Sequence, residues 1–239
     1  MSRIAANLQA VMSLVAGLAQ QAGGRVDVLA VSKAQTAETI RQAWAAGQQR
    51  FAENYLKEAL PKMTALADLP VEWHFIGPIQ SNKTGPIAEH FSWVHSVDRE
   101  KIANRLAEAR PAGKAPLNVC VQVNISAEES KSGVAPEDVE ALCRAVASLP
   151  NLRLRGLMTV GRAGLAEAAQ RQQFRAMKAL FDSLNDAGLA MDTLSMGMTD
   201  DMRGAILEGA TMIRIGTAIF GERPARNDKM QGNANGCMA

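Results

Sequence analysis

Val26-Asp27-Val28-Leu29-Ala30-Val31-Ser32-Lys33 is an apolar, β-branched run that ends in one lysine. A strand buried on both faces of a parallel sheet has this composition, because helices cover both sides of such a sheet. Lysine is almost never fully buried unless it is paired or used chemically. Lys33 stands where the strand ends, just before Ala34-Gln35-Thr36 opens a helix. In a β/α barrel the C-terminal ends of the strands build the functional site. The plainer alternative is that Lys33 only marks the exit of the strand into water.

Outward from this run, strands and helices alternate. Residues 2–23 carry Ile4, Leu8, Val11, Leu14, Val15 and Leu18 at helical spacing, and Gly23-Gly24 ends that helix. Thr36 caps a helix that stops at Gly47. Strands follow at residues 50–54, 71–76, 93–97, 117–125, 152–160, 193–198 and 212–220. Helices are expected at 55–66, 99–109, 136–149 and 165–187, with a further one starting at Thr199-Asp200-Asp201. Pro61 is expected to interrupt its helix or to begin a second piece. No helix is read between the strands at 71–76 and 93–97. About eight strand–helix repeats in a chain of 239 residues match a single-domain (β/α)8 barrel of TIM type with an extra N-terminal helix, a fold of about 250 residues. Residues 1–223 are read as the barrel and 224–239 as a polar, Gly/Asn-rich tail without fixed structure.

Composition excludes several classes. The net charge is +2, with no basic stripe interleaved with aromatics, so no nucleic-acid surface is expected. No run approaches the ~20 apolar residues of a membrane span, and no signal peptide is evident. Cys120, Cys143 and Cys237 have neither pair nor metal-ligand spacing and read as reduced thiols of a cytoplasmic protein. His74, His90 and His95 form no HxH or HxxxH cluster, so no metal site is expected. Neither GxGxxG after the first strand nor a Walker A motif is present. The 12 methionines are read mostly as core filler.

In a barrel, Lys33, Asn54, His74 to Pro78, Asn124, Met158-Thr159, Ser195 to Met198 and Gly216-Thr217 share one mouth. The loops after the seventh and eighth strands are the usual phosphate site of such barrels. Here they read Ser-Met-Gly-Met-Thr and Gly-Thr-Ala, small residues that let backbone N–H groups reach an anion. A lysine facing a phosphate cradle across the mouth suits an aldehyde-bearing phosphorylated cofactor, and pyridoxal 5'-phosphate fits that description. The alternative reading makes Gly197 and Gly216 packing glycines.

The ordered motifs Val31-Ser32-Lys33, Phe51-Ala52-Glu53-Asn54-Tyr55, Trp73-His74-Phe75-Ile76-Gly77-Pro78-Ile79-Gln80-Ser81-Asn82-Lys83, Gly156-Leu157-Met158-Thr159, Ser195-Met196-Gly197-Met198-Thr199-Asp200-Asp201-Met202 and Arg214-Ile215-Gly216-Thr217-Ala218-Ile219-Phe220-Gly221 resemble the pyridoxal phosphate homeostasis protein family, YggS-type in bacteria. That family is similar in fold to the barrel of alanine racemase. The resemblance implies an internal aldimine at Lys33 and Arg214 near the pyridine nitrogen. It places Ser195, Gly216 and Thr217 around the phosphate, with Asn54, His74 and Met158 lining the pocket; Gly197, in the loop after the seventh strand, is read as a further cofactor-binding residue. The chain is accordingly read as a protein that binds and buffers the cofactor, with delivery through transient contact with apo-enzymes, no catalytic residue and a monomeric state. One departure is visible: the family often has a second Lys and a Pro soon after the cofactor lysine, where this chain has Ala34-Gln35-Thr36.

Rival readings are a pyridoxal phosphate-dependent amino-acid racemase and a sugar-phosphate enzyme of the same fold. Racemisation needs two positioned proton-transfer groups on opposite faces of the α-carbon. Alanine racemase takes the second from a tyrosine on a further domain. The single tyrosine here, Tyr55, is expected to pack on the barrel. His74 is also read as a hydrogen-bonded core histidine, Lys83 as solvated, and Lys131 as a mouth residue that receives or passes on cofactor.

Overall fold

The computed structural model describes residues 2–126, 128, 132–162 and 164–221. Eight parallel strands form a closed barrel in sequence order: β1 (Asp27–Val31), β2 (Arg50–Glu53), β3 (Glu72–Phe75), β4 (Trp93–Val97), β5 (Leu117–Gln122), β6 (Leu152–Met158), β7 (Thr193–Ser195) and β8 (Met212–Ile215). β8 pairs with β1, Ala30 opposite Ile215, and closes the ring. The helices are α1 (Arg3–Gln21), α2 (Ala37–Ala45), α3 (Leu56–Ala65), α4 (Thr84–His90), α5 (Glu100–Ala109), α6 (Val139–Ala147), α7 (Glu167–Asp186), α8 (Met202–Leu207) and α9 (Thr217–Phe220). Among the described residues no helix is long and apolar enough to cross a membrane.

Side chains alternate across each strand. Val28 and Ala30 of β1 face the helices and join the large apolar layer between sheet and helices. Leu29 and Val31 face the barrel interior, beside Ala52, Ile76 and Met212. Lys33 continues the inward series just past the end of β1.

α1 is capped by Ser2, whose Oγ accepts the Ala5 N–H at 3.2 Å, and it buries Leu8, Val11, Val15 and Leu18. It packs against α2, α8 and α9, and Asn7 donates to the Ile219 carbonyl at 3.0 Å. α9 is only four residues long. α1 therefore covers the β8–β1 seam that a full eighth helix covers in a regular barrel.

Four elements differ from the sequence reading. α4 fills the interval read as having no helix. Gly85-Pro86 looks like a turn, but Pro86 lies in the first turn of α4, where its missing N–H has no partner to lose. α3 runs through Pro61 without a break. The seventh strand ends at Ser195, and the chain from there to Asp201 is loop before α8. The eighth ends at Ile215: the N–H groups of Ile219 and Phe220 turn back onto the Gly216 carbonyl and start α9. Residues 222–239, including Cys237 and the tail, lie outside the described residues.

Candidate functional site

The turn after β1 is gripped by α3. Ala34 has φ 61°, the left-handed region that a non-glycine residue enters only when its surroundings impose it. Its N–H donates to Glu58 Oε2 at 3.0 Å. One helical turn on, Lys62 Nζ donates to the Ser32 carbonyl at 2.9 Å and to Glu53 Oε1 at 2.8 Å. Ser32 Oγ donates to the same Glu53 oxygen at 2.6 Å. Glu58 and Lys62 thus hold the peptide groups on both sides of Lys33. Glu53 is fully buried, and burial raises its pKa against the opposing pull of Lys62 and Ser32. Lys33 itself is partly exposed at the mouth.

A second polar system crosses the barrel interior. Arg214 Nη1 donates to Ser195 Oγ at 2.9 Å and to the Ser195 carbonyl at 2.8 Å, and its Nη2 donates to the Thr159 carbonyl at 2.8 Å. Ser195 Oγ lies 3.0 Å from His95 Nδ1. His95 Nε2 lies 2.9 Å from His74 Nδ1, and His74 Nε2 lies 2.9 Å from Glu72 Oε1. At the far end Arg50 bridges Glu72 and Asp27, at 3.1 and 2.8 Å. Trp93 stacks on His74 with ring centroids 5.2 Å apart, and Arg155 lies over Trp93. His74, His95 and Ser195 are fully buried and Arg214 is nearly so. Burial lowers the pKa of His74 and takes that of His95 well down. Burial also pushes Arg214 down to about 10, so it stays cationic at neutral pH.

The sequence-derived residues fall on two parts of the mouth. Asn54 and Met158 line an open cavity over β2, β3, β5 and β6, together with Ile76, Pro78, Gln122 and Asn124. Lys33, Gly197, Gly216 and Thr217 lie over β1, β7 and β8. Lys33 and Gly216 follow two adjacent strands, β1 and β8, rather than facing one another across the mouth as the sequence suggested: a Cβ on Gly216 would lie 3.4 Å from the Val31 carbonyl oxygen. Thr217 is exposed. Gly197 has φ 94°, and a Cβ there would come within 2.5 Å of Ala205 Cβ, so its backbone and the packing of α8 require glycine. His74 and the Ser195 side chain sit below the mouth, in the interior chain. Tyr55 is 50% exposed and does not pack on the barrel as expected. It precedes α3 as the N-cap residue and makes no side-chain capping bond. Lys83 is exposed, as read, and Lys131 lies outside the described residues.

Sequence reasoning missed Glu53, Glu58, Lys62 and His95 as contributors. A signal existed for His95: it is a second polar residue of the same type, central in an apolar strand. None existed for Lys62, which reads as an ordinary helix lysine. Among the described residues no cluster could hold a metal ion.

The family model of the alanine racemase N-terminal domain matches residues 2–224. A curated pyridoxal phosphate homeostasis protein of Pseudomonas aeruginosa is 59% identical over 226 residues, covering 93% of this chain and 97% of the relative. The chain belongs to the pyridoxal phosphate homeostasis protein family. The Escherichia coli K12 member is 47% identical over 229 residues, covering 93% of this chain and 98% of its own length. Among solved structures, PipY of Synechococcus elongatus PCC7942 with PLP bound superimposes with a TM-score of 0.81 at 36% identity, covering 91% of this chain and 100% of that one.

Proposed function

We propose that this protein binds pyridoxal 5'-phosphate on Lys33 as an internal aldimine and buffers it, releasing it to apo-enzymes without turning over a substrate of its own. The observation that carries the reading is the rim formed by β8 and β1. A partly exposed lysine, clamped on both flanks, follows β1 where Gly216 and the exposed Thr217 follow its barrel neighbour β8. The residues also fit the group from the other side. Asn54 Oδ1 is buried in the cavity lining with no hydrogen-bond partner among the described residues, which is costly unless a ligand supplies a donor. The family and the PLP-bound relative support the same assignment.

Lys33 would supply the amine, and Gly216 and Thr217 would hold the phosphate. Asn54 and Met158 would wall the pocket, with His74, Ser195 and Gly197 behind it. Arg214 would face the ring nitrogen. When bound, the cofactor offers a masked aldehyde that an incoming amine can release. A guanidinium donates hydrogen bonds and keeps its own protons at neutral pH, so Arg214 would hold the ring without protonating it. A poorly protonated ring would be a weaker electron sink, which would limit amino-acid chemistry without excluding it, since the racemase resembles this chain at Arg214.

The test is the absorbance spectrum of the purified chain and of Lys33→Ala, followed by transfer of bound cofactor to an apo-enzyme. Wild type is expected to show a long-wavelength imine band that Lys33→Ala lacks, and to reactivate the apo-enzyme. Turnover of L-alanine or L-serine near ~1 per second, within the usual enzyme range, would replace this reading with the racemase.

A further inference from the structure

We propose that His74 and His95 are positioning residues that hold Ser195, and through it Arg214, by a chain of hydrogen bonds whose donors all point from the mouth toward the N-terminal ends of the strands. This rests on the cofactor reading only for what Arg214 faces. The direction follows from counting donors. Arg214 has no acceptor, so its contact with Ser195 Oγ makes that oxygen an acceptor. At the other end Glu72 is held ionised, its pKa lowered chiefly by the His74 contact, and an ionised carboxylate can only accept. His74 Nε2 must therefore carry hydrogen.

Burial keeps both imidazoles neutral, with one N–H each. The charged groups around His74 are Glu72 on its own strand, Arg50 on β2 and Asp27 on β1. His95 is faced by His74 and by Arg214 on β8. With its hydrogen on Nε2, His74 Nδ1 is bare and accepts from His95 Nε2. His95 Nδ1 is then bare and accepts the Ser195 hydroxyl hydrogen. Every group in the chain is satisfied in this one arrangement. Ser195 consequently has no hydroxyl hydrogen left for an anion, and its side chain acts on Arg214 rather than on a phosphate.

The chain is read by ¹⁵N NMR of the histidine rings in the full-length protein at neutral pH. The expected result is two neutral Nε2–H tautomers for His74 and His95. A hydrogen on His95 Nδ1, or a doubly protonated ring at either site, overturns the proposal. The role of Ser195 is read by measuring the dissociation of pyridoxal phosphate and of pyridoxal, which lacks the phosphate. Ser195→Ala is expected to speed loss of both aldehydes alike, by about tenfold, the scale of one hydrogen bond. Thr217→Val should speed loss of the phosphorylated one alone.

If Ser195→Ala spares pyridoxal, Ser195 serves the phosphate and the proposal fails. His95→Gln can accept from Ser195 and donate to His74, so it should stay near wild type where His95→Leu behaves like Ser195→Ala. Equal behaviour of the two His95 variants overturns positioning by hydrogen bonding. If the wild-type chain binds neither aldehyde, the cofactor reading fails, and the tautomers alone decide the direction of the chain.

Discussion

The two faces of the barrel sheet are built differently. The outer face meets the helices through a continuous apolar layer that includes Phe51, Ile102, Leu106, Phe174 and Ile213. The inner face carries only small apolar clusters, one around Leu29, Ala52 and Met212 and one around Trp93, Cys120 and Met158. Between them runs the hydrogen-bonded line from Glu72 to Arg214. Barrel interiors are usually filled by layers of branched apolar side chains. Here that filling is given up along one line across the interior. The difference teaches where the fold's stability and its chemistry reside: the outer layer excludes water and fixes the strands, and the inner line orients groups at the mouth.

The largest effect that could break this division is in the outer layer. Phe51 is fully buried there, 6.1 Å from Trp73 between ring centroids. Phe51→Ala should cost about 3–5 kcal/mol of stability, read by urea unfolding. A loss below about 0.5 kcal/mol, the range of ordinary surface changes, would contradict the apolar layer as the source of stability.

A smaller effect sharpens the contrast through pH. His74 and His95 have pKa values lowered in the fold, chiefly by burial, from an ordinary 6.5. Below that value the unfolded chain binds protons that the folded chain does not. Stability from these residues is therefore present above pH 6.5 and is lost as pH falls toward their folded values. The slope should approach about 1.4 kcal/mol per pH unit for His95, whose pKa lies well down, with a smaller share from His74, measured by urea unfolding between pH 7 and pH 5. His95→Gln should flatten it. An unchanged slope in that variant would remove His95 from the interior line.

The same contrast explains what the sequence disclosed. The outer layer is periodic, so Val28 and Ala30, or Leu8, Val11, Val15 and Leu18, could be placed on faces before any contact was known. α4 was hidden because Gly85-Pro86 imitates a turn, and α9 because Ile215-Gly216-Thr217-Ala218-Ile219 has strand-like composition. The inner line has no periodicity at all. His74, His95, Ser195 and Arg214 come from four strands, and only the closed register brings them together. The grip of Glu58 and Lys62 on the Lys33 turn was equally hidden, because i and i+4 on a helix look alike whether they face water or a backbone. Lys33 was legible for the opposite reason: a charge at the end of an apolar strand is visible in one dimension.

The central claim is that the inward series of β1 ends in the lysine that carries the cofactor. Borohydride reduction of the protein loaded with pyridoxal 5'-phosphate, followed by peptide mass mapping, tests it most directly. The account predicts a phosphopyridoxyl group on the peptide that contains Lys33. The same mass on another lysine, with Lys33 unmodified, would contradict it.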